Sequence, residues 1–363
     1  MPGLRRRRVP GLLAAGAALW GAGRAVAREM PAELAQPALL TPAAAFGLFN
    51  SVATAGSRLV AVGERGRILL SDDAGHAWRQ APAPVSANLV AARFATPRLG
   101  WVAGQMGVIL KTQDAGESWR LVLDGFQAAE LMLRDAEASP TPAAAAAADG
   151  TGQTQLAAAQ LLVSFGACNP MLCLLDLSPR HILAFGAFGL ALESFDAGET
   201  WRGIGTRVQN AQGMHIYAAL QTGGALVAAG EGGLLLHGAA AGALAAAPSP
   251  YQGSLFGLVS PAPGNILAFG LQGTVLQSAD LGASWRSLPA VSPNAVLCGQ
   301  ALRDGRIVLG DASGNLLVSH NAGAGFKAIP GTLPVTAMAQ APDGALILGS
   351  PAGLRRLASG ESS

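Results

Sequence analysis

Apolar residues in this chain come in short bursts, and the bursts are paired across a glycine step. LVAVGERGRILL from Leu59, WVAGQMGVIL from Trp101, ILAFGAFGLAL from Ile182, LVAAGEGGLLL from Leu226 and ILAFGLQGTVL from Ile266 share one order: an apolar run, Gly, two residues, Gly, and a second apolar run. IVLGDASGNLLV from Ile307 and LILGSPAGL from Leu346 repeat it with one extra turn residue. Runs this short, bounded by Gly, read as buried strands, since helices need about ten residues or more. The first glycines of the steps, Gly63, Gly104, Gly186, Gly230, Gly270, Gly310 and Gly349, are spaced by 41, 82, 44, 40, 40 and 39 residues. Seven copies at a period near forty predict an all-β, seven-bladed β-propeller of four-stranded antiparallel blades. Tight connections between antiparallel strands commonly need positive φ, so each first glycine is expected to supply it.

Beyond the second strand, four repeats continue as Ser/Thr-x-Asp-x-Gly-x-x-Trp, an Asp-box. The residues are Ser71, Asp73, Gly75 and Trp78; Thr112, Asp114, Gly116 and Trp119; Ser194, Asp196, Gly198 and Trp201; and Ser278, Asp280, Gly282 and Trp285. In each, the Trp lies 15 residues past the turn glycine. A fifth copy, Ser319 to Phe326, carries Asn321 for Asp and Phe326 for Trp. A short acid can accept hydrogen bonds from its own turn, Gly supplies the special φ and the aromatic seats the hairpin. These acids recur at one position around a ring, so they cannot converge on a substrate as a catalytic pair must. They are expected to be structural.

Two irregularities remain in the pattern. The interval of 82 contains no Gly-x-x-Gly step between Gly125 and Val163 and is rich in Ala, Leu, Glu and Gln. It predicts a helical insertion between blades two and three, at about 126–163, with helices over Gln127 to Ala138 and Gln153 to Leu162 around a mobile Pro/Ala stretch. The last repeat offers strands only at Val335 to Gln340, Ala345 to Leu348 and Leu354 to Ala358. Residues Ala38 to Thr41 are expected to supply its fourth strand and lock the ring, because an open ring leaves sheet edges exposed.

Charge adds a leader and removes some partners. Arg5 to Arg8, the apolar stretch Gly11 to Gly23 and Ala25-Val26-Ala27 form a secretory signal peptide, with cleavage expected after Ala27. The stretch is too short to cross a bilayer, and no transmembrane segment is expected in the mature chain. The general secretory route fits better than twin-arginine export, because Val9-Pro10 follows Arg7-Arg8. The leader holds five of 24 basic residues and no acid, which leaves 19 basic against 22 acidic side chains and a net charge of −3 in residues 28–363. No basic cluster survives to bind nucleic acid. Cys168, Cys173 and Cys298 show no metal-ligand spacing, though Cys168 and Cys173 could pair in an oxidising compartment. The five histidines fall in different repeats, so no metal or cofactor is expected.

With its Gly-x-x-Gly blades and Asp-boxes, the span from Gly47 to Arg356 resembles the sialidase-like propeller superfamily, and within it the photosystem II assembly and stability factor family and its bacterial relatives. Gly104 to Trp119 and Gly186 to Trp201 carry the blade form GxxGxILxTxDGGxTW best. The resemblance implies a secreted or lumenal, non-enzymatic propeller that binds a protein partner, such as a membrane-protein or envelope complex during assembly, with links to photosynthesis. A monomeric, periplasmic or lumenal protein is expected. The alternative is a sialidase-like glycoside hydrolase or glycan-binding propeller, whose nucleophile would have to be Tyr217 or Tyr251. The Arg-Ile-Pro sequence typical of sialidases is absent; Arg67-Ile68-Leu69 and Arg306-Ile307-Val308 stand instead. Turn tips on one face form the candidate partner surface, named by Arg65, Met106, Phe188 and Leu271 together with the insertion. Apolar side chains at such tips can form a contact patch.

Overall fold

Each apolar burst becomes a strand, and each glycine step becomes a turn between the second and third strands of a blade. The computed structural model describes residues 30–138, 155–239 and 242–358. The signal peptide and its cleavage site lie outside the described residues, as do the Pro/Ala stretch of the insertion and Gln153, the expected start of its second helix. From Pro31 onward the chain forms one compact unit.

Blade one contains β1 (Phe49–Ala55), β2 (Arg58–Gly63), β3 (Ile68–Ser71) and β4 (Arg79–Ala81); blade two contains β5 (Leu89–Phe94), β6 (Gly100–Gly104), β7 (Ile109–Thr112) and β8 (Arg120–Leu123). Two helices follow, preceded in the chain by the short α1 (Ala32–Ala35): α2 (Gly125–Ala138) and α3 (Gln155–Phe165). Blade three is β9 (Met171–Asp176), β10 (Ile182–Gly186), β11 (Ala191–Ser194) and β12 (Arg202–Gly203); blade four is β13 (Ile216–Thr222), β14 (Ala225–Gly230), β15 (Leu235–Ala239) and β16 (Ala245–Ala246). Blade five is β17 (Leu255–Ala262), β18 (Asn265–Gly270), β19 (Val275–Ser278) and β20 (Arg286–Ser287); blade six is β21 (Val296–Ala301), β22 (Ile307–Asp311), β23 (Leu316–Ser319) and β24 (Lys327–Ile329). Blade seven has three strands, β25 (Ala337–Gln340), β26 (Leu346–Ser350) and β27 (Gly353–Leu357). In every blade, strands consecutive in sequence are neighbours in the sheet.

The bursts are continuously apolar because each middle strand is buried on both faces. Successive side chains of a strand point to opposite sides. Val60, Val62 and Leu70 therefore pack with Leu89, Val102 and Leu110 of blade two. Leu59, Ala61 and Leu69, the intervening residues, pack with Ala337, Ala345 and Ile347 of blade seven. The ring thus closes through side-chain packing. Thr336 Oγ1 adds a hydrogen bond to the Phe49 carbonyl at 2.6 Å, and Arg356 Nε donates to the Ala74 carbonyl at 3.1 Å.

The expected N-terminal closing strand is not formed. Ala38 N donates to the Ala83 carbonyl at 3.0 Å, and Gln80 bonds both Thr41 N and the Leu39 carbonyl, so this segment runs beside blade one. Ala44, a few residues on, packs into the cluster shared by blades one and seven. Among the described residues, no strand pairs with the outer side of β27. Arg355 and Arg356 stand on it, and Arg356 pairs with Asp343; charges of this kind discourage further strand pairing.

A second expectation also needs correction. None of the seven first glycines has positive φ. In blades one to five, a Cβ on that glycine would lie between 2.0 and 2.4 Å from a neighbouring backbone carbonyl oxygen, as Gly104 would against Asn88. The requirement is space. Positive φ belongs instead to the tip residue two positions on, at Arg65, Met106, Phe188, Gly232 and Gln272, and to the second glycine after it.

Candidate partner-binding face

The Asp-boxes lie on the face formed by the hairpins between third and fourth strands, and there the polar groups satisfy one another. Ser194 Oγ donates to Asp196 at 2.8 Å and accepts from Gly198 N at 2.8 Å, while Asp196 also accepts from Thr200 N and Oγ1 at 2.8 and 2.6 Å. Ser278, Asp280, Gly282 and Ser284 repeat this network, as do Thr112, Asp114, Gly116 and Ser118. Ser71 and Asp73 bond Gly75 N and Ala77 N in the same way. The fifth copy keeps the geometry, with Ser319 bonded to Asn321 and Gly323. Trp119 and Trp285 donate from the indole to the Gly116 and Gly282 carbonyls. Bonds from the Thr200 hydroxyl and amide hold the Asp196 carboxyl down at about 2, and the Ser284 hydroxyl and amide do the same to Asp280. Such acids are fixed as anions and already hold their partners.

The same face is stitched from blade to blade. Arg58 of blade one bonds Asp72 and reaches Glu117 in the blade-two box at 2.7 Å, and Arg79 also bonds Glu117. Lys111, with its side chain buried, reaches Glu199 of the blade-three box at 2.6 Å, joined by Arg120. Trp101 donates to the Ala197 carbonyl at 3.1 Å. In blade three, buried Glu193 accepts from His181 at 2.7 Å, from Arg202 at 2.8 Å and from Arg207. Burial alone would raise the Glu193 carboxyl; the Arg202 and His181 bonds outweigh it and hold the group below its ordinary range. Sequence reasoning missed Lys111 and Glu193. Their signal was a charged residue in an otherwise apolar third strand, directly before the box Ser or Thr.

The opposite face carries the glycine-step turns and the connections between blades, including the insertion. Here tip side chains are held outward. Arg65, Phe188 and Leu271 are exposed, whereas Met106 is half-buried and packs with Phe126 of α2 against the cluster between blades one and two. The insertion therefore covers one of the four expected tips. Phe188 extends an aromatic series: its ring is 5.6 Å from Phe165 at the end of α3 and 4.9 Å from His215, which lies 6.0 Å from Tyr217, itself 5.5 Å from Phe256. Tyr251 donates its hydroxyl to the Leu271 carbonyl at 3.1 Å. The sequence signal for this series was the position of His215, Tyr217, Tyr251 and Phe256 at or just before the starts of innermost strands, which went unread.

Tyr217 and Phe256 also line the axial channel, a cavity of about 500 Å³ walled by innermost strands. Its lining holds a single arginine, Arg93, which lies 3.6 Å from Asp176. A Tyr nucleophile with three arginines around a carboxylate, the sialidase requirement, is not assembled there. Burial and then the Glu231 carboxylate push the Tyr217 phenol up, away from a nucleophilic phenolate. Cys173 in the same wall is buried and pushed up to about 11, and all three cysteines are free thiols. Among the described residues, no group of three or more His, Cys, Asp or Glu could hold a metal ion, and no helix is long and apolar enough to cross a membrane.

Residues 21–113 match the family model described as photosynthesis system II assembly factor YCF48. Among solved structures, YCF48 bound to D1 peptide is similar over 89% of this chain and 96% of its own, at 15% identity and a TM-score of 0.60. YCF48 from Cyanidioschyzon merolae is similar over 87% and 97%, at 12% identity and a TM-score of 0.62. The WD40 propeller domain of Doa1 reaches 91% and 99%, at 12% identity and a TM-score of 0.59. Likeness at these identities is a likeness of fold. No curated protein matches the chain.

Proposed function

We propose that this chain is a non-catalytic, exported propeller that binds a protein partner through its turn-tip face, the partner being a membrane-protein or envelope complex. The observation that carries the reading is the contrast in side-chain use. Asp-box acids are consumed by their own turns, and Phe195 of the blade-three box, though 48% exposed, stacks on His181 and under the Arg202 guanidinium, while Phe188, Phe165 and Leu271 stand exposed on the other face at 44%, 42% and 39%. Exposed aromatic and aliphatic groups clustered on a rigid frame are the usual currency of protein contacts. The likeness to a propeller described as bound to a D1 peptide supports the same reading. The leader over residues 1–27 supports export, with cleavage after Ala27 and a monomer in the periplasm or lumen. In this reading Arg65, Phe188 and Leu271 contact the partner, and Met106 serves mainly to seat the insertion.

Chemical crosslinking in the native envelope, followed by mass spectrometry of the purified chain, should recover a subunit of a membrane or envelope complex. Recovery of none, together with hydrolysis of a sialoside that is lost on Tyr217→Phe or Tyr251→Phe, would replace this reading with the glycosidase one.

A further inference from the structure

The aromatic series is an unusual expenditure for this chain. Aromatic residues make up 5% of the sequence and there are two tyrosines, yet both tyrosines and three phenylalanines gather on one sector of the turn-tip face. Core packing does not explain the placement, because Phe165 and Phe188 are exposed. Backbone ease does not explain it either. Phe188 occupies the tip position at φ 55, as Arg65, Met106 and Gln272 do at φ 54 to 58 in their blades, but it is the one aromatic ring among them, and the equivalent tip of blade four is Gly232 at φ 60. An exposed aromatic ring at a position that tolerates arginine, glutamine and glycine in other blades is a candidate for function.

Charge narrows the occupant. The tips and connections of blades three to five, the insertion helices aside, span residues 166–171, 186–190, 203–215, 230–234, 247–255 and 270–274, and their charged side chains are Arg207 and Glu231; Asp135 of α2, which lines a cavity with Phe188, is bonded to Thr206 N and Oγ1. Arg207 is spent on Glu193. The Glu231 side chain is 41% exposed, and its carboxylate is fixed by the His215 amide at 3.1 Å, beside the middle of the aromatic series. An anchored acid amid rings favours a basic side chain and disfavours an anionic lipid surface.

Length and direction narrow it further. The ring-to-ring path from Phe165 to Phe256 is about 22 Å, about seven extended residues at about 3.3 Å each. It begins on the insertion and ends at the mouth of the channel, where Tyr217 and Phe256 line the wall. We infer that the Phe165–Phe188–His215–Tyr217–Phe256 series seats an extended apolar segment of a partner protein that places a lysine or arginine against Glu231. This rests on the partner-binding reading above and adds the site and the chemistry of the segment.

The test is a selection of random linear peptides displayed on phage against the full chain, with affinities of the selected peptides measured by fluorescence anisotropy. Selected peptides should join a Lys or Arg to aliphatic or aromatic residues. Phe188→Ala should weaken them roughly tenfold or more, and Glu231→Lys should switch the preference to acidic peptides. Both variants should keep the wild-type circular dichroism, since Phe188 is an exposed tip and Glu231 is half-exposed beside one, with a single bond to the His215 amide to lose. Peptides selected without a basic residue, affinities unchanged in Phe188→Ala, no selection at all, or binding of phosphatidylglycerol vesicles in place of peptides would each overturn the inference. If the native partner is captured equally by wild type and Phe188→Ala, the partner-binding reading stands and this seat falls; if no native partner exists, the reading itself falls.

Discussion

The two faces of the ring use the same turn vocabulary to opposite ends. On the Asp-box face, the box acids and the charged residues beside them close hydrogen bonds within the hairpin or reach the next blade, as Asp196 does to Thr200 and Lys111 to Glu199. On the turn-tip face the backbone is equally fixed, but apart from Met106, which packs beneath the insertion, the tips at Arg65, Phe188 and Leu271 keep exposed side chains. Leu281 in a box and Phe188 at a tip both sit at positive φ. What separates the faces is therefore the use of the side chains: acids that recur in the boxes are bonded within their own turns, whereas the residues that vary between the glycines of the tips include exposed Phe188 and Leu271.

Substitutions on each face test this contrast. Trp101 is fully buried and its indole joins blade two to the blade-three box, so Trp101→Ala should cost about 3–5 kcal/mol of unfolding free energy in urea. A loss below about 1 kcal/mol would show that the inter-blade junction is not stabilising. Gly104 lies on the turn-tip face but has no free space, with a Cβ only 2.2 Å from the Asn88 carbonyl. Gly104→Ala should cost about 1–3 kcal/mol, showing that the structural demand on this face belongs to the glycines.

Acid tests the boxes more gently. The Asp196 and Asp280 carboxyls sit at about 2 against an ordinary 3.8, so in the folded state they favour the anion. A group depressed on folding contributes stability above its unfolded value and loses it as pH falls towards its folded value. Stability should therefore decline between about pH 4 and pH 2, and the Asp196→Asn/Asp280→Asn variant should show a shallower decline across that window. An identical slope would remove these acids from the account. The smallest stability change belongs to Phe188→Ala, within about 0.5 kcal/mol of wild type by the same urea measurement. A much larger loss would make Phe188 a packing residue.

Much of this architecture could be read from spacing. The glycine step recurs because each copy solves the same close approach, and a repeated constraint is visible even without structure. The reason for the glycine was misjudged: Gly63 and Gly104 looked like positive-φ positions, but a pattern of residue types does not distinguish torsion from lack of space. The closing strand failed for a related reason. Three strands in the last repeat implied a vacancy, while closure by Leu59, Ala61 and Ile347 packing needs no fourth strand and leaves no periodic trace. The insertion's helices were readable from composition. The aromatic series left only a partial trace, His215, Tyr217 and Phe256 at the starts of innermost strands, because its members come from four stretches of sequence and meet only when the ring forms.

The central claim is that the turn-tip face, and not the Asp-box face, meets the partner. Photocrosslinking in the native envelope from a benzoylphenylalanine placed at Phe188, compared with one at Phe195, tests it directly, since both side chains are exposed and Phe195 lies beside a box. The account predicts a discrete crosslinked membrane or envelope subunit from position 188 and none from position 195. Crosslinking from position 195 alone would contradict it.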